Sequence, residues 1–234
     1  MTNERCVLVT GAAGALGRAV VAHFAARGAA LALLDRDADA LSALVREVPD
    51  IIALPLATNL LDASAVAQAV DQAAQRFGGI SAAVHLAGGF TMGEAVHETA
   101  ATTWQRMLDL NVNTMLASAA AVVPVMRRAR RGSIVNVGAM SALRGVAKMG
   151  AYVASKSALM RLTESMSAEL REDGINVNAV LPSIIDTPAN RQLMPDADPR
   201  RWVAPAALAA VIGFLASDDA RAVHGALIPV TGLA

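Results

Sequence analysis

Tyr152 is the single tyrosine of this chain, and Lys156 follows it by four residues in Tyr152-Val153-Ala154-Ser155-Lys156. On a helix, that spacing places both side chains on one face. An ammonium held there favours the phenolate and lowers the tyrosine pKa toward neutrality, which suits the residue to exchange a proton with a substrate oxygen. By spacing alone, a surface pair of no consequence is the commoner meaning. A second motif raises the chemical one. Thr10-Gly11-Ala12-Ala13-Gly14-Ala15-Leu16-Gly17 follows a short apolar run and opens a helical pattern. Glycines in such a turn let the backbone approach a pyrophosphate, whose charge suits the free N–H groups and dipole of the helix N-terminus. An ordinary tight turn is the alternative for a glycine cluster alone. Asp35, eighteen residues after Gly17, stands where a carboxylate accepts both ribose hydroxyls of an adenosine. It repels a 2′-phosphate, so the expected preference is NAD(H) over NADP(H), with Arg18 and Arg36 the cations able to relax it.

The elements that must hold these residues alternate. Apolar, largely β-branched or leucine-rich runs at Arg5–Thr10, Ala30–Leu34, Ile51–Leu56, Ala82–Leu86, Ser133–Val137, Asn176–Leu181 and Leu227–Val230 read as strands. Between them lie helical patterns at Leu16–Arg27, Ala38–Glu47, Ala63–Phe77, Thr102–Met126, Gly150–Glu172 and Pro205–Ala216. This alternation predicts α/β architecture, a doubly wound parallel sheet with helices on both faces. No linker or repeat divides it, so residues 1–234 read as one domain. The proline-rich stretch 182–202 is the least regular and reads as a substrate lid.

Composition narrows the partners. The 20 basic and 20 acidic residues cancel and aromatics make up 3%, which argues against nucleic acid and against an anionic membrane surface. Although 55% of residues are hydrophobic, the longest uncharged stretch, Leu110 to Met126, is interrupted by Asn111, Asn113, Thr114, Ser118 and Pro124. It reads as a buried helix, not a bilayer span. Cys6, the only cysteine, excludes an internal disulfide and fits a reducing compartment, most simply the cytoplasm. His23, His85, His97 and His224 lack metal-ligand spacing, so no metal is expected. Small-molecule substrates and other copies of the chain are the partners left.

Together, the glycine turn, Asp35, His85-Leu86-Ala87-Gly88, Leu110-Asn111-Val112, the Tyr152/Lys156 pair and Leu181-Pro182 through Thr187 resemble the short-chain dehydrogenase/reductase family from the first strand to the C-terminus. The resemblance implies a Rossmann-like sheet of strand order 3-2-1-4-5-6-7, a homotetramer or homodimer, and a nicotinamide-dependent oxidoreductase. It implies Tyr152 as general acid/base, Lys156 on the nicotinamide ribose and Asn111 holding a water in the proton path. Cofactor contacts would come from Gly11, Gly14, Leu16, Gly17, Asp35, Arg36, Asn59 and Leu60 beside adenine, Ala87, Gly88, Ile185 and Thr187.

Four positions depart from the family pattern. Ala15 replaces the middle glycine while Gly14 is gained, giving the Gly-x-x-Gly-x-x-Gly spacing of the family's extended branch. His85 replaces an asparagine, as a packing or hydrogen-bond substitute. Ser183 stands where glycine usually follows Pro182. Most consequential, Ala139 occupies the place of the substrate-orienting serine, thirteen residues before Tyr152. Losing such a donor typically costs ~10²–10³ in rate. Either Ser141 moves in, or the substrate does not need that donor. The dihydropteridine-reductase branch also has alanine there and resembles this chain at Asp186-Thr187-Pro188, Asn190-Arg191, Met194 through Asp198 and Trp202. That resemblance implies, as an alternative, activity on a quinonoid pterin. A non-catalytic NAD-binding sensor or scaffold is the alternative from another class. Met92, Met140, Met149, Phe90 and Trp202 are expected to line an apolar pocket suited to a flat or hydrophobic substrate.

Overall fold

The computed structural model describes residues 6–234; Arg5, at the expected start of the first strand, lies outside them. Seven strands run in chain order: β1 (Cys6–Thr10), β2 (Ala30–Asp35), β3 (Ala53–Ala57), β4 (Ala82–His85), β5 (Gly132–Val137), β6 (Ile175–Pro182) and β7 (Leu227–Val230). All pair in parallel in the order β3-β2-β1-β4-β5-β6-β7, the architecture the sequence implied. β1 is buried along its whole length and alternates its side chains by twos. Val7 and Val9 join one core, Cys6 and Leu8 the other. Burial pushes the Cys6 thiol up to about 12, so it behaves as a core residue. The two edge strands each carry an exposed proline, Pro55 in β3 and Pro229 in β7. A residue without an N–H is tolerated there and discourages further pairing.

Helices cover both faces. On one, α1 (Ala15–Ala25), α2 (Ala38–Glu47) and α8 (Pro205–Leu215) bury Val20, Val21, Leu41, Leu44, Leu208 and Ile212. On the other, α3 (Ala63–Phe77) and α5 (Thr114–Ala129) bury Val66, Val70, Val122, Val125 and Met126, joined by Leu170 at the end of α6 (Gly150–Leu170). Asp37 and Asp62 cap α2 and α3 by accepting their first amides.

Three regions differ from expectation. The helix expected over Thr102–Met126 is α4 (Ala101–Leu108), a π-helical turn (Asp109–Asn113) and α5, in continuous succession. The wide turn carries Asn111, a common meaning of such bulges. This stretch, Ala101–Ala129, is by length and composition alone long and apolar enough to cross a membrane, yet it lies as the buried helix that its uncharged part suggested. Its apolar face packs in the core beside α3, and Leu116 is exposed on its outer side. The segment 182–202 is not a structureless lid. It holds α7 (Pro188–Leu193), capped by Thr187, and a 3₁₀ turn at Pro199–Arg201, and is tied back by a bridge between Ile185 and Val203. Prolines that break longer patterns start both of these short helices, where a missing N–H costs nothing. The least regular stretch is instead Leu86 to Ala100, whose only helical turn is Val96–Glu98.

Candidate active site

The glycine turn, Asp35, Asn59, Ala87 and Ile185 all lie at or just beyond the C-terminal ends of strands, on one side of the sheet. Chain order reverses between β1 and β4, and ligands of open parallel sheets bind in the crevice at such a point. There the backbone approaches closely. Gly11 has φ +64°, and a Cβ on it would stand 2.9 Å from the Ala87 nitrogen. A Cβ on Gly17 would stand 2.3 Å from the Gly11 carbonyl oxygen, so only glycine lets α1 start against the turn. Gly14, exposed, precedes α1 as its N-cap and Leu16 lies in its first turn; no side chain caps the helix, in contrast to α2 and α3. Its first amides are thus available to an anion.

Asp35 closes this half of the crevice. Its Oδ2 accepts from Ala13 N at 3.1 Å and its Oδ1 from Asp37 N at 3.3 Å, so the carboxylate fixes the turn and keeps lone pairs free. Arg18 holds the same residue through the next peptide, Nε donating to Ala13 O at 3.2 Å while its guanidinium pairs with Glu47. Arg36 is exposed and in the turn before α2. Beyond β3, Asn59 is exposed and accepts from Leu61 N, whereas Leu60 is buried in the core.

Asn111, Tyr152 and Lys156 come together around the turn after β4. Asn111 is fully buried; its Nδ2 donates to Gly89 O (3.1 Å) and Ser155 Oγ (3.0 Å), and its Oδ1 accepts from Gly89 N (3.0 Å). Ser155 Oγ in turn donates to Tyr152 O at 2.8 Å. A Cβ on Gly88 would stand 2.9 Å from Asn111 Oδ1 and 3.4 Å from Lys156 Nζ, so Gly88 leaves open the space above both. Lys156 Nζ donates to Val137 O at 2.7 Å. Tyr152 meets the Phe90 ring edge to face, centroids 4.9 Å apart, and packs against the buried cluster of Ala139, Ala142, Val153, Met160 and Leu181, as do Met140, Val146 and Met149.

The electrostatics correct one expectation. Burial pushes the Tyr152 phenol up to about 12, and burial pushes the Lys156 ammonium down to about 8. In the protein itself, desolvation outweighs any help that Lys156 gives the phenolate, because neither charge is welcome in this apolar setting. Ile185 and Thr187 bond within their own segment: Ile185 O accepts from Asn190 Nδ2 (2.8 Å) and Thr187 Oγ1 from Asn190 N (3.2 Å). The Ile185–Val203 bridge uses Asp186 N and Ile184 O, leaving the Ile185 amide out of it. Ser141, in the turn after Ala139, makes no side-chain hydrogen bond among the described residues. Nor do any three His, Cys, Asp or Glu side chains among them gather to hold a metal.

Three participants went unseen in the sequence. Ser155 was in plain view inside the Tyr152–Lys156 motif. Asn190 was visible only as part of a resemblance, and the Val137 carbonyl leaves no signal in residue type.

A short chain dehydrogenase profile matches residues 5–198. The chain is 36% identical to an "Inactive 2-(S)-hydroxypropyl-CoM dehydrogenase 2" of Xanthobacter autotrophicus, over 88% of this chain and 94% of that protein. It is 33% identical to the cis-4-hydroxycyclohexanecarboxylate dehydrogenase of Sinomonas cyclohexanicum, over 98% and 96% respectively. Among solved structures, NAD+-bound xylitol dehydrogenase superposes with a TM-score of 0.90 at 29% identity, covering 98% of both chains. The chain therefore belongs to the short-chain dehydrogenase/reductase family, whose named relatives are oxidoreductases.

Proposed function

We propose that this protein is an NAD(H)-dependent oxidoreductase acting on a small carbonyl or alcohol, with Tyr152 as its general acid/base. The reading rests on one observation: Tyr152, Lys156 and Asn111 surround the turn at Gly88 and Gly89, in the crevice that the uncapped α1 turn and Asp35 also border. When bound, the dinucleotide supplies or accepts the hydride.

The chain's own residues do the rest. Gly11, Gly14, Leu16 and Gly17 receive the pyrophosphate on backbone amides, and Asp35 takes the adenosine ribose hydroxyls and disfavours a 2′-phosphate. Lys156 reaches from Val137 O past Gly88 toward the second ribose. Asn111 clamps both backbone groups of Gly89 and so sets the floor of the site, and its remaining acceptor groups hold the water of the proton path. Ile185 and Thr187 approach the carboxamide, and the segment 182–202 covers the substrate. The Tyr152 hydroxyl, kept protonated by burial, gives its proton to the substrate oxygen in the reducing direction. Exposed Trp104 and Leu116 on the 101–129 stretch support assembly into dimers or tetramers.

NADH should bind with quenched fluorescence, NADPH more weakly, and equal affinities remove the role given to Asp35. Tyr152→Phe should lower kcat by ~10²–10⁴ with NADH affinity kept; unchanged turnover overturns the assignment. A second reading, the non-catalytic sensor, draws on Ala139 and on the relative named inactive. It predicts NADH binding without turnover of any ketone, quinone or quinonoid dihydropterin. The pterin alternative draws on the apolar surroundings of Ala139 and predicts turnover of the dihydropterin alone.

A further inference from the structure

The polar side chains on the helical turn that carries Tyr152 are already engaged inside the protein. Ser155 bonds Tyr152 O, Lys156 bonds Val137 O and Ser157 bonds Ala142 O. Asn111 is engaged with Gly89 and Ser155. Tyr152 packs against an apolar cluster of Ala139, Ala142, Val153, Met160 and Leu181, on which Met140, Val146 and Met149 also pack. A substrate with several hydroxyls would lose water there and find few partners, at a cost in free energy for each unpaired group. Such a wall favours a substrate with few polar groups beyond the oxygen that reacts.

Phe90 adds a shape. Its ring is fixed edge to face against Tyr152 (4.9 Å between centroids, 75° between planes) and is nonetheless 47% exposed. Met92, two residues on, is 62% exposed. Half of an aromatic ring left in water beside the reacting group is a ready face for another ring, and the flexible methionines adapt to its edges. The loop is braced, since Gly93 N donates to Lys148 O at 2.8 Å, just ahead of α6.

Resting on the reading that Tyr152 transfers the proton, we propose that the substrate is a ring ketone, or its secondary alcohol, with an uncharged apolar body, and that Phe90 selects it by covering one face. In reduction, the ring carbonyl carbon gains the hydride from NADH and its oxygen gains the Tyr152 proton. The ketone becomes a secondary alcohol, NADH becomes NAD+, and Tyr152 recovers a proton from water.

The test compares cyclohexanone with the acyclic, hydroxylated ketone acetoin, both with NADH, in the wild type, Phe90→Leu and Phe90→Ala. The wild type should favour cyclohexanone in kcat/KM. The ratio of the two kcat/KM values should fall about tenfold in Phe90→Ala, through KM for the ring, and by less in Phe90→Leu. Because the ratio is read within each variant, a general loss of activity cancels. A wild-type preference for acetoin, or an unchanged ratio in both variants, overturns the proposal while leaving the oxidoreductase reading intact. Failure of that reading looks different: no turnover of either ketone, or full turnover by Tyr152→Phe.

Discussion

The two halves of the cleft are built on opposite principles. On the dinucleotide side, position is fixed by the backbone: Gly11 touches Ala87, Gly17 touches Gly11, and Asp35 and Arg18 hold the N–H and the carbonyl of Ala13. Beside Tyr152, the wall is made of apolar side chains, several of them exposed and flexible. A cofactor shared by many enzymes asks for the first kind of site, since its phosphates and riboses never change. The second kind can be altered by substitution without disturbing the fold. Changes in the first half should therefore act through geometry and be severe, and changes in the second through specificity and be mild.

Gly17→Ala is the hardest test of that contrast. The added methyl would meet backbone oxygens of Gly11 and Ala12 at 2.3 and 2.4 Å, neither of which can rotate away. Overpacking of this kind costs about 1–3 kcal/mol, or roughly ten- to hundredfold in NADH affinity when the turn takes the strain. Titration of NADH fluorescence measures it directly. Near wild-type affinity would mean that the turn yields and that the dinucleotide half is not the rigid one.

The contrast also explains what the sequence disclosed. Strand positions were legible because strands buried on both faces are continuous apolar runs, and β7 and α2 were placed to the residue. The glycine turn and Asp35 were legible because close backbone approach and a lone carboxylate restrict residue type. The π turn at Asn111 was not, since its residues read as ordinary helix and the extra residue is absorbed by hydrogen bonding. The short helix α7 hid among prolines whose helix-starting role looks the same as chain breaking. The Tyr152 environment was misjudged because spacing showed the ammonium but not the burial that outweighs it.

Beneath both halves runs a buried chain in which His85 Nδ1–H donates to Asn136 Oδ1 (2.8 Å) and Asn136 Nδ2 to Thr163 Oγ1 (2.9 Å). This is the hydrogen-bond substitute expected at His85, and it joins β4, β5 and α6. Nε2 is buried with no hydrogen-bond partner among the described residues, and burial pushes His85 down to about 4, from 6.5 when unfolded. Between those values the unfolded chain takes up a proton that the folded one refuses. Stability from this group is complete above pH 6.5 and is lost as pH falls toward 4, by about 3 kcal/mol. Urea unfolding from pH 7 to 4 should show this slope in the wild type and a shallower one in His85→Asn; parallel curves would remove His85 as its source.

The mildest effect falls on the substrate half. Ala139 is 5% exposed among apolar neighbours, and the Ser141 side chain makes no hydrogen bond among the described residues. Were Ser141 a relocated donor to the substrate oxygen, Ser141→Ala should cost ~10²–10³ in kcat. An apolar wall that relies on Tyr152 alone predicts a change within about twofold, on the scale of a surface substitution. Ala139→Ser sharpens the choice, because it restores a hydroxyl at the family's usual position. In a site organised around that donor it should raise kcat; in this one it buries a hydroxyl among Val153, Met160 and Leu181 and should lower stability by about 1–3 kcal/mol with no gain in rate. A rate gain in Ala139→Ser, with Ser141→Ala inert, would mean that the substrate oxygen does want a second donor and that this wall gave it up.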